Sequence, residues 1–201
     1  RGAGVSPPFA EGAPMPAVHP SPAPRIRAAE SADFEAIRAI YAHAVETGCA
    51  SFETAAPDRA EMERRHAAIL AAGFPWLVAE RDGAVVGYGY FGSYRTRPAY
   101  RFTVENSVYV APEAKGGGIG RALLAALLER ATAGGFRQMI AVIGDSANTA
   151  SIGLHTALGF RSAGLFASVG WKHGRWLDSV LMQLALGDGD ETPPGPFAPR
   201  P

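Results

Sequence analysis

The sequence predicts a single α/β domain, a mixed sheet with helices on both of its faces. Three observations carry this. Alternating and helical hydrophobic spacings follow one another in the order β-α-α-β-β-β-α-β-α-β-β. One strand runs straight into a glycine-rich loop and then an amphipathic helix, at residues 102–130. The 201 residues suffice for one domain and leave little for a second.

The elements follow in order. Arg25–Ala29 is a short strand. Asp33 is placed to cap a helix whose apolar face is Phe34, Ile37, Ile40, Tyr41, Ala44 and Val45. Gly48 ends it. Residues 59–72 form a second helix, ending at Gly73. Trp76–Glu80 and Val85–Phe91 read as a hairpin around an Asp82-Gly83 turn. A polar loop with Arg95, Arg97 and Arg101 follows.

Phe102–Val110 is a strand with Val104, Asn106, Val108 and Val110 on one face and Glu105, Ser107 and Tyr109 on the other, unless a bulge shifts the phase. After the loop, Leu123, Leu124, Leu127 and Leu128 mark the buried side of a helix. Met139–Ile143 is a buried strand, and a helix follows near Thr149–Leu158. Phe160–Val169 and Trp176–Leu186 close the domain around a Lys172–Arg175 hairpin.

Composition narrows the class of function. Hydrophobic residues make up 47% and charged residues 19%, which suits a globular core. Lys plus Arg and Asp plus Glu number 19 each, so bulk charge does not suit binding to nucleic acid. The lone Cys49 forms no disulfide within the chain and no cysteine-based zinc site, and no metal is expected. It suits a reducing compartment, and the cytoplasm is the expected location. No stretch approaches the ~18 apolar residues of a membrane helix.

Of 16 prolines, seven lie in residues 1–24 and five in 187–201. Both segments are expected to be disordered tails, flanking a folded domain at 25–186. The first has no apolar run of signal-peptide length, and Met15 is a candidate start.

The loop Lys115-Gly116-Gly117-Gly118-Ile119-Gly120-Arg121 carries the chemistry. Glycines let a ligand approach the backbone, and free N–H groups at a helix start bind phosphate. The pattern matches neither a Walker loop, since Ala122 follows Arg121, nor a dinucleotide fingerprint.

The segment Val108–Arg121 resembles the acetyl-CoA loop of GCN5-related N-acetyltransferases, Q/R-x-x-G-x-G/A, with Lys115 in the first position. Asn148-Thr149-Ala150-Ser151 and Leu158-Gly159-Phe160 are similar to that family's second motif. Thr103–Val110, Gly174–Asp178, Ala50-Ser51-Phe52 and Leu154-His155 resemble a narrower branch, the phosphinothricin and methionine sulfoximine/sulfone acetyltransferases.

The resemblance implies a central mixed, mostly antiparallel twisted sheet, acetyl-CoA as co-substrate, a small-molecule amine acceptor and a homodimer. It implies that Val108, Tyr109 and Val110 lie along the pantetheine arm as an added strand, with the Val110 N–H on the thioester carbonyl. It implies that Gly116, Gly117, Gly118, Ile119, Gly120 and Arg121 hold the diphosphate, and that Asn148 bonds the pantetheine amides. Arg95, Thr96 and Arg97, with Glu105, Asn106 and Ser107, border the acceptor. His173 and Arg175 are further candidates, across a dimer interface.

An amine attacks only when neutral, and a lysine-like amine of pKa about 10.4 is neutral less than one time in a thousand near pH 7. Glu105 is the candidate base, directly or through water, and a strand carboxylate paired with Arg101 or solvated is its plain alternative. His155 is the second candidate, as acid to the thiolate or as a second base. Cys49 lacks the partners of a nucleophile and reads as a small packing residue, and Trp76, Trp171 and Trp176 read as core or interface bulk. Arginine forks in the Arg95, Arg97 and Arg101 cluster match a carboxylate or phosphinate. The expected reaction is direct acetyl transfer to a small amino acid. Protein N-termini or other small amines are alternative acceptors, and a CoA-binding module without turnover is the rival reading.

Overall fold

The structure is a computed structural model, and it describes residues 23–195. The residues before 23 and after 195 lie outside it, and with them most of the expected N-terminal tail.

Seven strands form one sheet. They are β1 (Arg25–Ala28), β2 (Trp76–Arg81), β3 (Ala84–Ser93), β4 (Thr103–Val110), β5 (Gln138–Gly144), β6 (Arg161–Lys172) and β7 (Arg175–Ala185). The helices are α1 (Phe34–Thr47), α2 (Arg59–Ala71), α3 (Ile119–Ala133) and α4 (Thr149–Ala157). The strand order is β1-β2-β3-β4-β5-β7-β6. Every neighbouring pair is antiparallel except β4 and β5.

The two faces are covered differently. Tyr41 of α1 meets Tyr109 edge to face at 5.0 Å, and a side chain at Gly92 would meet Ile69 of α2. Side chains at Gly87 and Gly89 would meet Ile119, Leu123 and Leu127 of α3. Glycine at these positions therefore lets α3 sit close to the sheet. Leu123, Leu124, Leu127, Ile37 and Leu77 are fully buried at the centre of the core. Burying one such side chain contributes roughly 1.5–3 kcal/mol.

Asp33 does not make the expected cap, and Gly48 ends α1 as expected but by its own geometry. Asp33 makes no side-chain cap to α1. Its carboxylate accepts from the Glu30 N–H at 2.8 Å and forms a two-pronged pair with Arg27 of β1. Gly48 ends α1 with extended backbone, not the left-handed form, and is glycine because a Cβ would lie 3.0 Å from the Ala44 carbonyl.

Part of the segment expected to be disordered, residues 187–193, makes contacts with the domain, and residues 196–201 lie outside the described residues. Gly189 and Glu191 donate backbone hydrogen bonds to Leu186 and Asp188, and the Arg137 guanidinium donates to Thr192 Oγ1 at 2.6 Å. This segment is tied to the domain through residue 193 because Arg137 offers donors to its hydroxyl and carbonyls.

Candidate functional site

The site is a fork in the sheet. The parallel pairing of β4 with β5 runs only from Thr103↔Gln138 to Glu105↔Ile140. Beyond it the strands part, while β4 stays paired to β3 through Val110 and β5 to β7 through Gly144. A cavity of about 60 Å³ lies in the opening, between Asn106–Tyr109 on one side and Ala141–Gly144 on the other. Residues on β4 thus present one unpaired backbone edge to the opening.

The alternation of strand N–H groups fixes which amides point there. The Ala111 N–H bonds to Val86 on the β3 side at 2.9 Å. Successive N–H groups face opposite edges, so the Val110 N–H faces the fork. The β3–β4 register runs without a bulge, so the expected two faces of β4 hold.

The glycine loop stands beyond the fork. Gly116 and Gly118 have φ of 76° and 78°, values that favour glycine. Gly118 is the N-cap of α3 and carries no side-chain cap. Among the described residues, the N–H groups of Gly116, Gly118, Ile119, Gly120 and Arg121 have no backbone acceptor. Gly117 differs: its N–H bonds to Ala114 at 3.3 Å, and its carbonyl accepts from Arg81 Nη2 at 2.7 Å. Five free amides at a helix start fit a diphosphate, and the fork fits an extended arm leading to it. The residues present therefore fit acetyl-CoA.

Glu105 is the last β4 residue in the parallel ladder and lies on the α1 face, half-buried. Burial pushes its carboxyl up from the usual 4.5. It has no hydrogen-bond partner among the described residues. Arg101, its expected partner in the plain reading, donates instead to the Pro98 carbonyl and lies over the Phe102 ring. Arg95, Thr96 and Arg97 are exposed in the loop that joins β3 to β4. Arg95 rests over the rings of Tyr94 and Tyr100, at 5.1 and 5.7 Å.

Asn106 points to the opposite face from Glu105. Its Nδ2 donates to the Ile140 carbonyl at 3.2 Å, at the crotch of the fork, and its Oδ1 lies 3.1 Å from His155 Nε2. His155, on α4, is buried, with Nδ1 at 2.8 Å from the Ser151 carbonyl. Burial pushes its pKa below 6.5, partly offset by the Ser151 contact. Asn148 caps α4: its Oδ1 accepts from the Ser151 N–H at 3.2 Å, and its amide reaches the Gly144 carbonyl at 3.4 Å. Sequence expectation gave Asn106 to the acceptor and Asn148 to the pantetheine arm. The structure puts both in the wall of the fork, with these internal bonds.

Sequence reasoning overlooked a second polar group on the Glu105 face. The Tyr41 hydroxyl donates to Glu53 at 2.8 Å and meets Ser51 at 2.9 Å, and Arg65 pairs with Glu53 at 2.6 Å. Trp76 stacks on Tyr90 at 4.2 Å beside them. The sequence signal for this group is the short Ala50-Ser51-Phe52 run, which carries only a resemblance and stops short of Glu53. Lys172 is buried and donates to the Ser51 carbonyl at 2.7 Å, and burial lowers its pKa. The Arg175 guanidinium pairs with Asp145 and lies 3.5 Å from Cys49 Sγ. Among the described residues no cluster of metal-ligating side chains occurs, and no helix is long and apolar enough to cross a membrane.

A split sheet with an anion cradle beyond the split defines a class. Residues 34–160 match the acetyltransferase (GNAT) family, and the chain belongs to it. It is an N-acetyltransferase, as its relatives are. The chain is 57% identical over 169 residues to the phosphinothricin N-acetyltransferase of Alcaligenes faecalis, covering 84% of this chain and 86% of that one. It is 44% identical over 161 residues to the L-methionine sulfoximine/L-methionine sulfone acetyltransferase of Salmonella typhimurium, covering 80% and 94%. A solved structure of a GNAT superfamily phosphinothricin acetyltransferase from Sinorhizobium meliloti in complex with AcCoA superposes with a TM-score of 0.83 at 49% identity, covering 86% of this chain and 94% of that one.

Proposed function

We propose that this protein transfers the acetyl group of acetyl-CoA to the amine of a small amino acid of the phosphinothricin, methionine sulfoximine or methionine sulfone type. The observation that carries the reading is the position of Glu105: a half-buried, unpaired carboxyl at the point where β4 and β5 part. The named activities of the 57% and 44% identical relatives support the acceptor class.

Acetyl-CoA supplies an activated acyl thioester. Gly116, Gly118, Ile119, Gly120 and Arg121 hold the diphosphate through their free amides. Val108, Tyr109 and Val110 hold the arm along the open edge of β4, and the Val110 N–H serves as oxyanion donor. Glu105 takes a proton from the acceptor's ammonium, directly or through one water, so that the neutral amine attacks, and burial raises the pKa of this base. His155 holds a proton for the departing sulfur. Arg95 and Arg97, with Thr96 and Ser107, bind the acceptor's carboxylate and its second acidic or sulfonyl group.

A homodimer in the cytoplasm belongs to the same reading. Leu165, Phe166, Val169, Trp171 and Trp176 are all more than half exposed on the β6–β7 hairpin, at the sheet edge. An apolar group of this size suits a second copy of the chain, and sedimentation of the pure protein as a monomer would contradict it.

The test of function is an acceptor screen: free thiol released from acetyl-CoA, read as kcat/KM for each amine. Phosphinothricin and the methionine derivatives are expected to exceed peptides and simple amines. No thiol release with any amino acid overturns the reading.

A further inference from the structure

We propose that Arg81 is a positioning residue of the diphosphate cradle, acting on the Gly117–Gly118 peptide from the end of β2. The inference rests on the reading of the glycine loop as that cradle. Arg81 is the last residue of β2, and its Nη2 donates to the Gly117 carbonyl at 2.7 Å across a gap of 36 residues in the chain.

The effect follows from peptide geometry. A trans peptide points its C=O and its N–H in opposite directions. Anchoring the Gly117 carbonyl on Arg81 therefore turns the Gly118 N–H away from Arg81, and that N–H, like those of Ile119, Gly120 and Arg121, has no backbone acceptor among the described residues. Without the anchor, Gly116 and Gly118, both with positive φ, leave this peptide free to rotate.

Two further observations set Arg81 apart from a solvated surface arginine. Gly117 has no need of glycine for its φ, yet a Cβ there would lie 2.8 Å from Arg81 Nη1 and 3.2 Å from Nη2. Glycine at this position makes room for the guanidinium. Arg81 Nε is also buried with no hydrogen-bond partner among the described residues. A side chain serving only the fold would shed that unmade bond by turning to water. It is held against the loop instead.

The experiment compares Arg81→Ala and Arg81→Lys with the unmodified protein. It reads the Kd of CoA by calorimetry, the melting temperature, and kcat/KM with acetyl-CoA and with S-acetylpantetheine, which lacks the diphosphate. Arg81→Ala is expected to weaken CoA binding about tenfold and to lower kcat/KM for acetyl-CoA by a similar factor. It is expected to leave kcat, and all values with S-acetylpantetheine, unchanged. Arg81→Lys restores part of the loss. If Arg81→Ala does not fold, Gly117→Ala, which drives a methyl into the guanidinium, is expected to show the same donor-specific loss. Unchanged CoA binding, or equal losses with both donors, overturns the proposal alone. Failure of the unmodified protein to bind CoA removes the cradle reading and this proposal together.

Discussion

Asn106 and His155 are joined across the wall of the fork, Oδ1 to Nε2 at 3.1 Å, although they sit 49 residues apart. The other ring nitrogen of His155 faces the Ser151 carbonyl, also an acceptor, at 2.8 Å. The Asn106 amide is oriented by its donation to Ile140, so its oxygen faces the ring. Both ring nitrogens thus meet acceptors, and only the imidazolium donates to both. Burial works the other way and favours the neutral ring.

The balance is measurable. His155 is expected to titrate below 6.5 in an NMR pH series, because desolvation outweighs the acceptors. Asn106→Ala removes one acceptor of the cation and is expected to lower that pKa further. The folded protein binds this proton less readily than the unfolded chain. Its stabilising effect is therefore complete above pH 6.5 and is lost as the pH falls through the lower folded value. Denaturant titrations of His155→Gln should show a shallower loss of stability over that window.

Glu105→Gln tests the base. The expected fall in kcat is about 10²–10⁴-fold, with CoA binding unaltered. In the unmodified protein the acid limb of kcat/KM should have its midpoint above 4.5, because burial raises this carboxyl and only its ionised form accepts a proton. The limb should vanish in Glu105→Gln. A limb that persists assigns it to another group.

Arg95→Ala and Arg97→Ala should raise KM for the amino acid about tenfold each, the effect of losing a hydrogen bond to a charged group. KM for acetyl-CoA should stay constant, since both side chains lie in the loop between β3 and β4, away from the glycine loop. A rise in the acetyl-CoA KM would place them elsewhere in the mechanism.

Gly144→Ala tests the packing of the segment that carries Ser51. A Cβ at Gly144 would collide with the Cys49 carbonyl and reach within 2.9 Å of the Phe52 ring. Backbone cannot swing aside as a side chain can. The expected loss is about 3 kcal/mol, visible as a lowered melting temperature. Gly153→Ala, on α4 with open space around its Cβ, serves as the control and should leave stability nearly unchanged or slightly raised.

The chain's local rules reached far into this structure. Alternation along Thr103–Val110 separated Glu105 from Asn106, and the helical spacing of Leu123, Leu124 and Leu127 found the buried side of α3. What stayed hidden depends on pairings between different elements. Asp33 looks like a helix cap until Arg27 claims its carboxylate. Gly117 looks like its neighbouring glycines until Arg81 arrives from β2. Nothing local foretells the bonds that the Asn106 and Asn148 side chains make with Ile140, His155 and Gly144. The point where β4 leaves β5 has no local signature, because parting is a relation between strands.

That parting makes the domain two half-sheets, four strands and three, riveted at Thr103–Glu105. A molecule lodged between them acts as mortar. By mass action the protein gains stability with the logarithm of that molecule's concentration over its Kd. Resistance of the pure protein to heat and proteolysis is then expected to rise as acetyl-CoA is added.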